Sequence, residues 1–396
     1  MKDNVNSIVR KGLCCSCGIC AGICPRNCIE MIICKGITKP NINNELCVNC
    51  GLCLDICPGK DAQSQPSIKN SNYLVGNVRK AYIGYIKNEI LLKNTTSGGI
   101  CTSLINKLLS KGIYDTAFLI DTFNYSEIVK SKPYTKDSLD TKIISGSRYI
   151  PISHEEASKY ICKNKGKRII IVGTSCAIHG FRNLISRFKL EDRNYLLIGL
   201  FCDKTMNYNV WRYFNHKRSS ISGKLENLYF RSKDECGWPG NMKLQFEKKT
   251  LFLGKEARLA VKDIFCNRRC LYCTDKLNID ADISLGDNYT GLYVNNMGSS
   301  NIIIRTEYGE TAFNTIKEDC VLQTVDIKYV SKSQGIEKKI ENQYFLNLHL
   351  RKGKIKIKIL VKYLFKLLKI YVGENYPRHM WLMRIVLSFQ KMIKGY

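Results

Sequence analysis

The sequence predicts a chain of the α+β / α/β class in three parts. A small cysteine-rich module spans residues 1–62. A mixed α/β region follows to about residue 335, and a basic helical segment occupies 336–396. Three observations carry this. Eleven of the 20 cysteines lie before residue 58. From about residue 80, short β-branched runs alternate with amphipathic stretches of helical period, the texture of α/β domains with parallel pairing. Residues 351–396 hold 12 Lys or Arg and a single acid, Glu374.

Size and charge set the outer bounds. A chain of 396 residues predicts two or three domains, and 44% hydrophobic residues can build a core without disulfides. Met1-Lys2-Asp3-Asn4 leads into polar residues rather than an apolar leader. Reduced thiols and a cytoplasmic setting are therefore expected. The formal net charge is +28, from 62 basic and 34 acidic residues, which predicts an acidic partner. No uncharged apolar stretch reaches the length of a membrane-spanning helix.

In the module, Cys14-x2-Cys17-x2-Cys20-x3-Cys24-Pro25 is repeated as Cys47-x2-Cys50-x2-Cys53-x3-Cys57-Pro58. This is the bacterial ferredoxin spacing. Three close thiolates hold one [4Fe-4S] cluster and the fourth Cys of the run holds the other. The expected sets are Cys14/Cys17/Cys20/Cys57 and Cys47/Cys50/Cys53/Cys24. The proline fixes φ and turns the chain away. Zinc or disulfides are the alternatives. Cys15, Cys28 and Cys34 are left over.

Beyond a polar linker at Asp61–Ser67, the elements follow in order. Strands are predicted at Ala81–Ile86, Thr116–Asp121, Glu127–Lys132, Arg168–Gly173 and Tyr195–Cys202, the last two continuous apolar runs suited to a buried sheet. Helices are predicted at Gly98–Ser110, ended by Gly112, at Glu155–Lys163 and at Ala177–Phe188. Leu228–Arg231, Lys243–Glu247 and Leu251–Leu253 read as partly exposed strands, and Asn301–Arg305 as a central one. From about 308 the chain reads as mainly helical. Lys354–Ile359 alternates like a strand, Leu360–Ile370 has helical spacing, and a second apolar face includes Trp381, Ile385 and Phe389.

A third cysteine group, Cys266-x3-Cys270-x2-Cys273, can hold one face of a further cluster. Cys202 is the first candidate for the fourth ligand and Cys176 the second. Zinc or free thiols remain the alternatives. The neighbouring Arg268 and Arg269 would offset cluster charge and raise its potential. Three Gly-rich turns join strands to helices: Ser97-Gly98-Gly99, Gly146-Ser147-Arg148-Tyr149 and Gly173-Thr174-Ser175-Cys176. Helix starts at such turns favour phosphate, and in open α/β sheets they gather at the strand C-termini. None matches the dinucleotide or P-loop fingerprint. Together they favour a flavin or similar cofactor, with plain turn chemistry the alternative for each.

Several small motifs now resemble a family. They are Thr96–Gly99, Gly146–Tyr149, Val172–Cys176, Gly199–Cys202, Gly237-Trp238-Pro239, Cys270-x2-Cys273-x-Asp275, Ala281–Asp287 and Ile303–Thr306. Their order is similar to that in the β subunits of coenzyme F420-reducing hydrogenase and coenzyme F420-dependent formate dehydrogenase, up to about residue 310. The resemblance implies domains at 75–160 and 161–335, bound FAD, and a cluster on Cys202, Cys270 and Cys273 with Cys266 as companion. It implies that the three turns line the flavin. Coenzyme F420 is the hydride carrier of the better-known members. Ser175 stands where the family often has Pro. Other members are ferredoxin-linked reductases or look linked to cell-surface polysaccharide synthesis.

The expected function is thus an FAD-dependent iron–sulfur oxidoreductase. The alternative is a non-catalytic subunit passing electrons to a partner redox protein. Residues 351–396 predict either peripheral contact with the inner face of a membrane or a helical cap with a solvated basic face. Nucleic acid is not expected, because no base-stacking platform is present. His179 reads as a proton donor or, more simply, a helix-surface residue. Asp287 and Trp238 read as cofactor contacts or as turn and corner residues.

Overall fold

The structure is a computed structural model and describes residues 3–61, 71–121, 127–141, 145–352 and 356–394. The cysteine module contributes an antiparallel hairpin, β1 (Ile29–Cys34) and β2 (Ile37–Ile42). Eight strands then form the central sheet: β3 (Lys80–Ile86), β4 (Thr116–Leu119), β5 (Lys132–Tyr134), β6 (Ile169–Thr174), β7 (Tyr195–Leu200), β11 (Ile283–Asp287), β12 (Ser300–Ile304) and β13 (Cys320–Thr324). Their order is β13-β3-β12-β11-β7-β6-β4-β5. A three-stranded antiparallel sheet, β8 (Leu225–Ser232), β9 (Asn241–Phe246) and β10 (Thr250–Leu253), packs apart from it.

The apolar runs take the interior positions. β6 and β7 pair in parallel, flanked in parallel by β4 and β11. Alternate side chains divide between two helical layers. Ile169, Ile171, Tyr195 and Leu197 pack with the helices Glu155–Lys163 and Ser175–Arg187. Ile170, Leu196 and Ile198 pack with Ile100–Ser110 and Glu307–Asn314. β12 is central, as its Ile302–Ile304 run requires. It is antiparallel to both β11 and β3, so β3, β11, β7, β6 and β4 all end on one edge. The sheet draws strands from both sides of residue 160.

The cysteine module shares this core. Ile19, Ile23 and Ile56 join the cluster around Phe181 and Ile178. A Cβ on Gly22 would stand 2.1 Å from the Glu155 carbonyl oxygen. The Ser158 hydroxyl donates to the Ile19 carbonyl at 3.2 Å. Asp61 closes the helix Pro58–Asp61, and the rest of the expected linker, 62–67, lies outside the described residues.

Two predicted elements differ. The strand near 127–132 starts at Lys132 instead and pairs at the sheet edge, where Pro133 needs no ladder partner. The alternating Lys354–Ile359 run is not a strand: Ile357 opens the helix Ile357–Glu374, and 354–355 lie outside the described residues. Local alternation loses there to a longer helical period. The edge strand β13 gave no sequence signal, because four of its five side chains are not buried.

Candidate iron–sulfur and cofactor site

The two cysteine runs adopt the same backbone. Ser16 (φ +62°) and Gly18 (φ +71°) in the first match Asn49 (φ +50°) and Gly51 (φ +78°) in the second. Such left-handed residues between right-handed ones aim amides to one side, and the Ser16 amide lies 3.4 Å from Cys14 Sγ. A one-turn helix follows each, Ile19–Gly22 and Leu52–Asp55. Cys14, Cys17, Cys20 and Cys57 line one pocket, together with Cys15 and the apolar Met31. The fourth Cys of the second run therefore joins the first three of the first. Around Cys53 stand Cys50, Cys24 and Cys47, the reciprocal set. Cys28 adds a further thiol, 3.4 Å from Cys24.

Burial, reinforced by the other thiols, pushes Cys14 up to about 11 and Cys57 up to about 12. Such thiols deprotonate only against strong positive charge. Among the described residues, no three His, Cys, Asp or Glu side chains converge as around a single metal ion. The thiols of the first set surround a shared space, as a multi-iron group requires.

The third group is assembled from three elements. Cys202 follows β7, Cys176 opens the helix after β6, and Cys270 and Cys273 flank the end of the short helix Arg268–Tyr272. Cys202 has Cys270, Cys176 and Cys273 as its thiol neighbours. Cys266 stands behind Cys270, hydrogen-bonded to it. Cys176, expected in a flavin turn and as a second-choice cluster ligand, thus stands among these thiols. It also shares a hydrogen bond with Cys15 of the first run. Cys270 is the exception among these thiols: the Cys266 hydrogen bond, with help from Thr205, lowers it to about 6 against the effect of burial.

Arg269 makes the donor set complete. It is 7% exposed and lies among Cys15, Cys273, Cys176 and Cys270, while its Nε and Nη1 have no acceptor. A buried guanidinium with unmade hydrogen bonds is costly unless anionic sulfur accepts them. The residues present therefore fit an iron–sulfur group. Lys339, also buried, lies beside Cys273 and Cys202 and pairs with Asp203 at 3.0 Å.

The Gly-rich turns lie along the same sheet edge but not at one point. Gly98 N–H donates to the Ser300 hydroxyl at 3.1 Å, which fixes Ser97–Gly99 over β3 and β12. Gly99, at φ +75°, caps the helix Ile100–Ser110. Gly173–Cys176 sits four strands away, about 19 Å at ordinary strand spacing. Gly146–Tyr149 runs between them and the smaller sheet, where the Tyr149 ring packs on Phe230.

At the β11 end, Asp287 is a hub. It accepts two hydrogen bonds from Arg231 (2.6 and 3.1 Å), one from Trp238 Nε1 (3.1 Å) and one from the Tyr289 hydroxyl (3.2 Å). Burial would raise its pKa, and Arg231 overrides this to lower it. Lys233 bonds the Ser97 carbonyl at 3.0 Å, and burial next to Arg231 lowers it to about 8. Its Nζ can hold or release a proton near neutral pH. Sequence reading singled out Asp287 and Trp238 but missed Arg231, Lys233 and Cys15, whose roles depend on partners 56 to 161 residues distant. His179, on the helix Ser175–Arg187, bridges Asp280 (2.6 Å) and Asp61 (2.9 Å).

Fold and thiol sets together define an iron–sulfur protein built on a mixed eight-stranded sheet with a parallel centre. Residues 166–329 match the family model for the C-terminal part of the beta subunit in coenzyme F420 hydrogenase/dehydrogenase, and residues 40–60 match a 4Fe-4S binding domain. Residues 166–329 thus carry the C-terminal region of that beta-subunit family, behind a ferredoxin-type 4Fe-4S region. An uncharacterised protein of Methanocaldococcus jannaschii is 25% identical over 82% of this chain and 93% of its own length. A coenzyme F420-dependent sulfite reductase of the same organism is 25% identical over 87% of this chain, which spans only 53% of that protein. One of the subunits of the F(420)H(2) dehydrogenase of Methanosarcina mazei is 22% identical over 81% of this chain and 86% of its own length. A chain of the F420-reducing [NiFe] hydrogenase complex from Methanosarcina barkeri superimposes with a TM-score of 0.50. It covers 74% of this chain and 100% of its own at 16% identity, a likeness of fold.

Proposed function

We propose that the chain is an iron–sulfur flavoprotein oxidoreductase that exchanges electrons between a hydride carrier of the coenzyme F420 type and its thiol-bound clusters. The observation that carries this is the placement of the third thiol set on the same sheet edge as the Gly-rich turns. FAD, when bound, exchanges a hydride on one side and single electrons on the other. The chain's own residues supply the rest. The amide end of Ile100–Ser110 favours a phosphate, and the Arg231–Asp287 pair stiffens the edge beside it. Lys233 holds a proton beside Ser97, and Arg269 faces the thiols of Cys176, Cys270 and Cys273. The relatives named for F420-dependent enzymes support the choice of carrier.

The test is anaerobic reconstitution followed by iron, sulfide and flavin analysis. Reduction by reduced F420, NADH, NADPH and reduced ferredoxin is then compared side by side. About twelve irons and one FAD per chain, with F420 the fastest donor, are expected. No flavin after reconstitution would sink the flavoprotein reading. A second reading, an electron-transfer subunit serving a partner redox protein, is favoured by the relatives named as subunits. It predicts flavin reduction but no substrate turnover without that partner. Residues 351–396 carry a separate part of the proposal, contact with an anionic membrane surface.

A further inference from the structure

The helix Ile357–Glu374 presents more than its lysines to solvent. Lys358 and Lys362 are exposed, but they flank the outward crest rather than form it. Lys362 and Lys366 pair with Glu341, and Lys369 is 8% exposed. The crest facing solvent is apolar. Ile357 is 79% exposed, Val361 61%, Leu364 54%, Leu368 39% and Tyr371 45%. These positions follow one another by four, three, four and three residues, a single stripe along the helix. The opposite side, with Tyr363 and Ile370, is buried in the core shared with the cysteine module. On the adjoining helix Met380–Lys394, Trp381 (63%) and Ile385 (56%) extend the exposed apolar surface.

Cations border this surface. Lys356, Lys358, Arg378 and Arg384 are exposed, whereas the lone acid, Glu374, is 7% exposed and bound to Arg268. An apolar crest with a Trp and flanking Lys and Arg is the arrangement that lies in the headgroup layer of an anionic bilayer. A second copy of this chain would bring another +28 against the first, so charge opposes self-association there. Among the described residues no helix is long and apolar enough to cross a membrane, so contact through this pair is at the surface.

We infer that the outward faces of Ile357–Glu374 and Met380–Lys394 form a docking surface for an anionic lipid bilayer. It rests on the membrane part of the proposed function and not on the redox part, so iron content and flavin reduction stay as they are if it fails.

The test is flotation of the full-length chain with phosphatidylcholine vesicles, with and without phosphatidylglycerol, at low and high salt. Binding to the anionic vesicles alone, weakened by salt, is expected. Leu364→Ser and Leu368→Ser together should weaken it by about tenfold or more with unchanged circular dichroism, since both side chains are exposed and their loss opens no core cavity. Equal binding to both vesicle types, no binding to either, or full binding by the double variant would overturn the inference. So would a wild-type dimer in light scattering that the double variant abolishes, because a second copy would then occupy the face.

Discussion

The two ferredoxin-type thiol sets share a spacing, a backbone and a proline, yet they stand in different surroundings. Cys20 and Cys57 of the first set are buried, and their pocket is closed by Met31, Pro40 and Ile56. In the second set Cys50 is exposed and Cys47 half-buried, with the Asn4 amide 3.8 Å from Cys47 Sγ. The first set also adjoins the third through Cys15 and Cys176. The difference comes from docking rather than from the motif. The helix Ile19–Gly22 of the first run packs on Glu155–Lys163, while Leu46 and Val48 beside the second face solvent. Equal motifs are made unequal by what the rest of the chain lays against them.

The largest expected effect tests the crossed pairing on which the comparison rests. Cys57→Ser should remove about four irons from the set containing Cys14, Cys17 and Cys20, although Cys57 belongs to the other run. Cys24→Ser should deplete the other set. Iron analysis with electron paramagnetic resonance on each variant separates the two. Loss of the second set's signal on Cys57→Ser would mean that each run holds its own cluster.

A smaller effect separates motif strain from docking. Gly18→Ala and Gly51→Ala both place a Cβ at positive φ, which costs about 1–2 kcal/mol. At Gly18 that Cβ would also stand 2.2 Å from the Ser153 hydroxyl, on the docked side, adding about 1–3 kcal/mol. Anaerobic urea denaturation should therefore rank Gly18→Ala as the less stable variant. Equal midpoints would show that Ser153 yields without cost.

The third set sharpens the contrast between interior and rim. Arg269→Gln removes the buried guanidinium beside Cys176, Cys270 and Cys273. The potential assigned to that set should fall by roughly 60–130 mV, the one-electron equivalent of about 1.5–3 kcal/mol for a hydrogen bond to a charged group. The exposed second set should not move. A redox titration followed by electron paramagnetic resonance reads both, and a common shift in all sets would deny Arg269 its local role.

What was legible in the sequence was what local spacing encodes. The cysteine runs, the buried β6 and β7 and the helix Glu155–Lys163 all declare themselves within a dozen residues. What was not legible depends on who stands opposite. Cys176 reads equally as a turn residue and as a second-choice ligand until β6 and β7 place it beside Cys202. Arg231 reads as a strand residue until Asp287 arrives 56 positions later. The lysines of Ile357–Glu374 look like a free solvated face until Glu341 arrives to pair two of them.

The smallest effect concerns the latch that holds the first set in place. His179 lies between Asp61 of the cysteine module and Asp280 of the sheet region. Burial alone would lower its pKa, but the two carboxylates outweigh burial and raise it to about 10. A raised His pKa gives stability that is fully present below the ordinary value near 6.5 and is lost as pH rises through about 10. Asp61 works from the other side. The His179 hydrogen bond lowers its pKa against burial, so its share is present above the ordinary 3.8 and is lost as pH falls through the lowered value. The bridge is partly exposed, and solvent screening limits it to about 1 kcal/mol. The difference in urea stability between the wild type and His179→Ala should be greatest between pH 3.8 and 6.5, shrink at more acid pH, and vanish above about 10. A difference that stays constant across that range would mean that His179 holds the module by packing alone, and the buried first set would then owe its position to Ile19, Ile23 and Ile56.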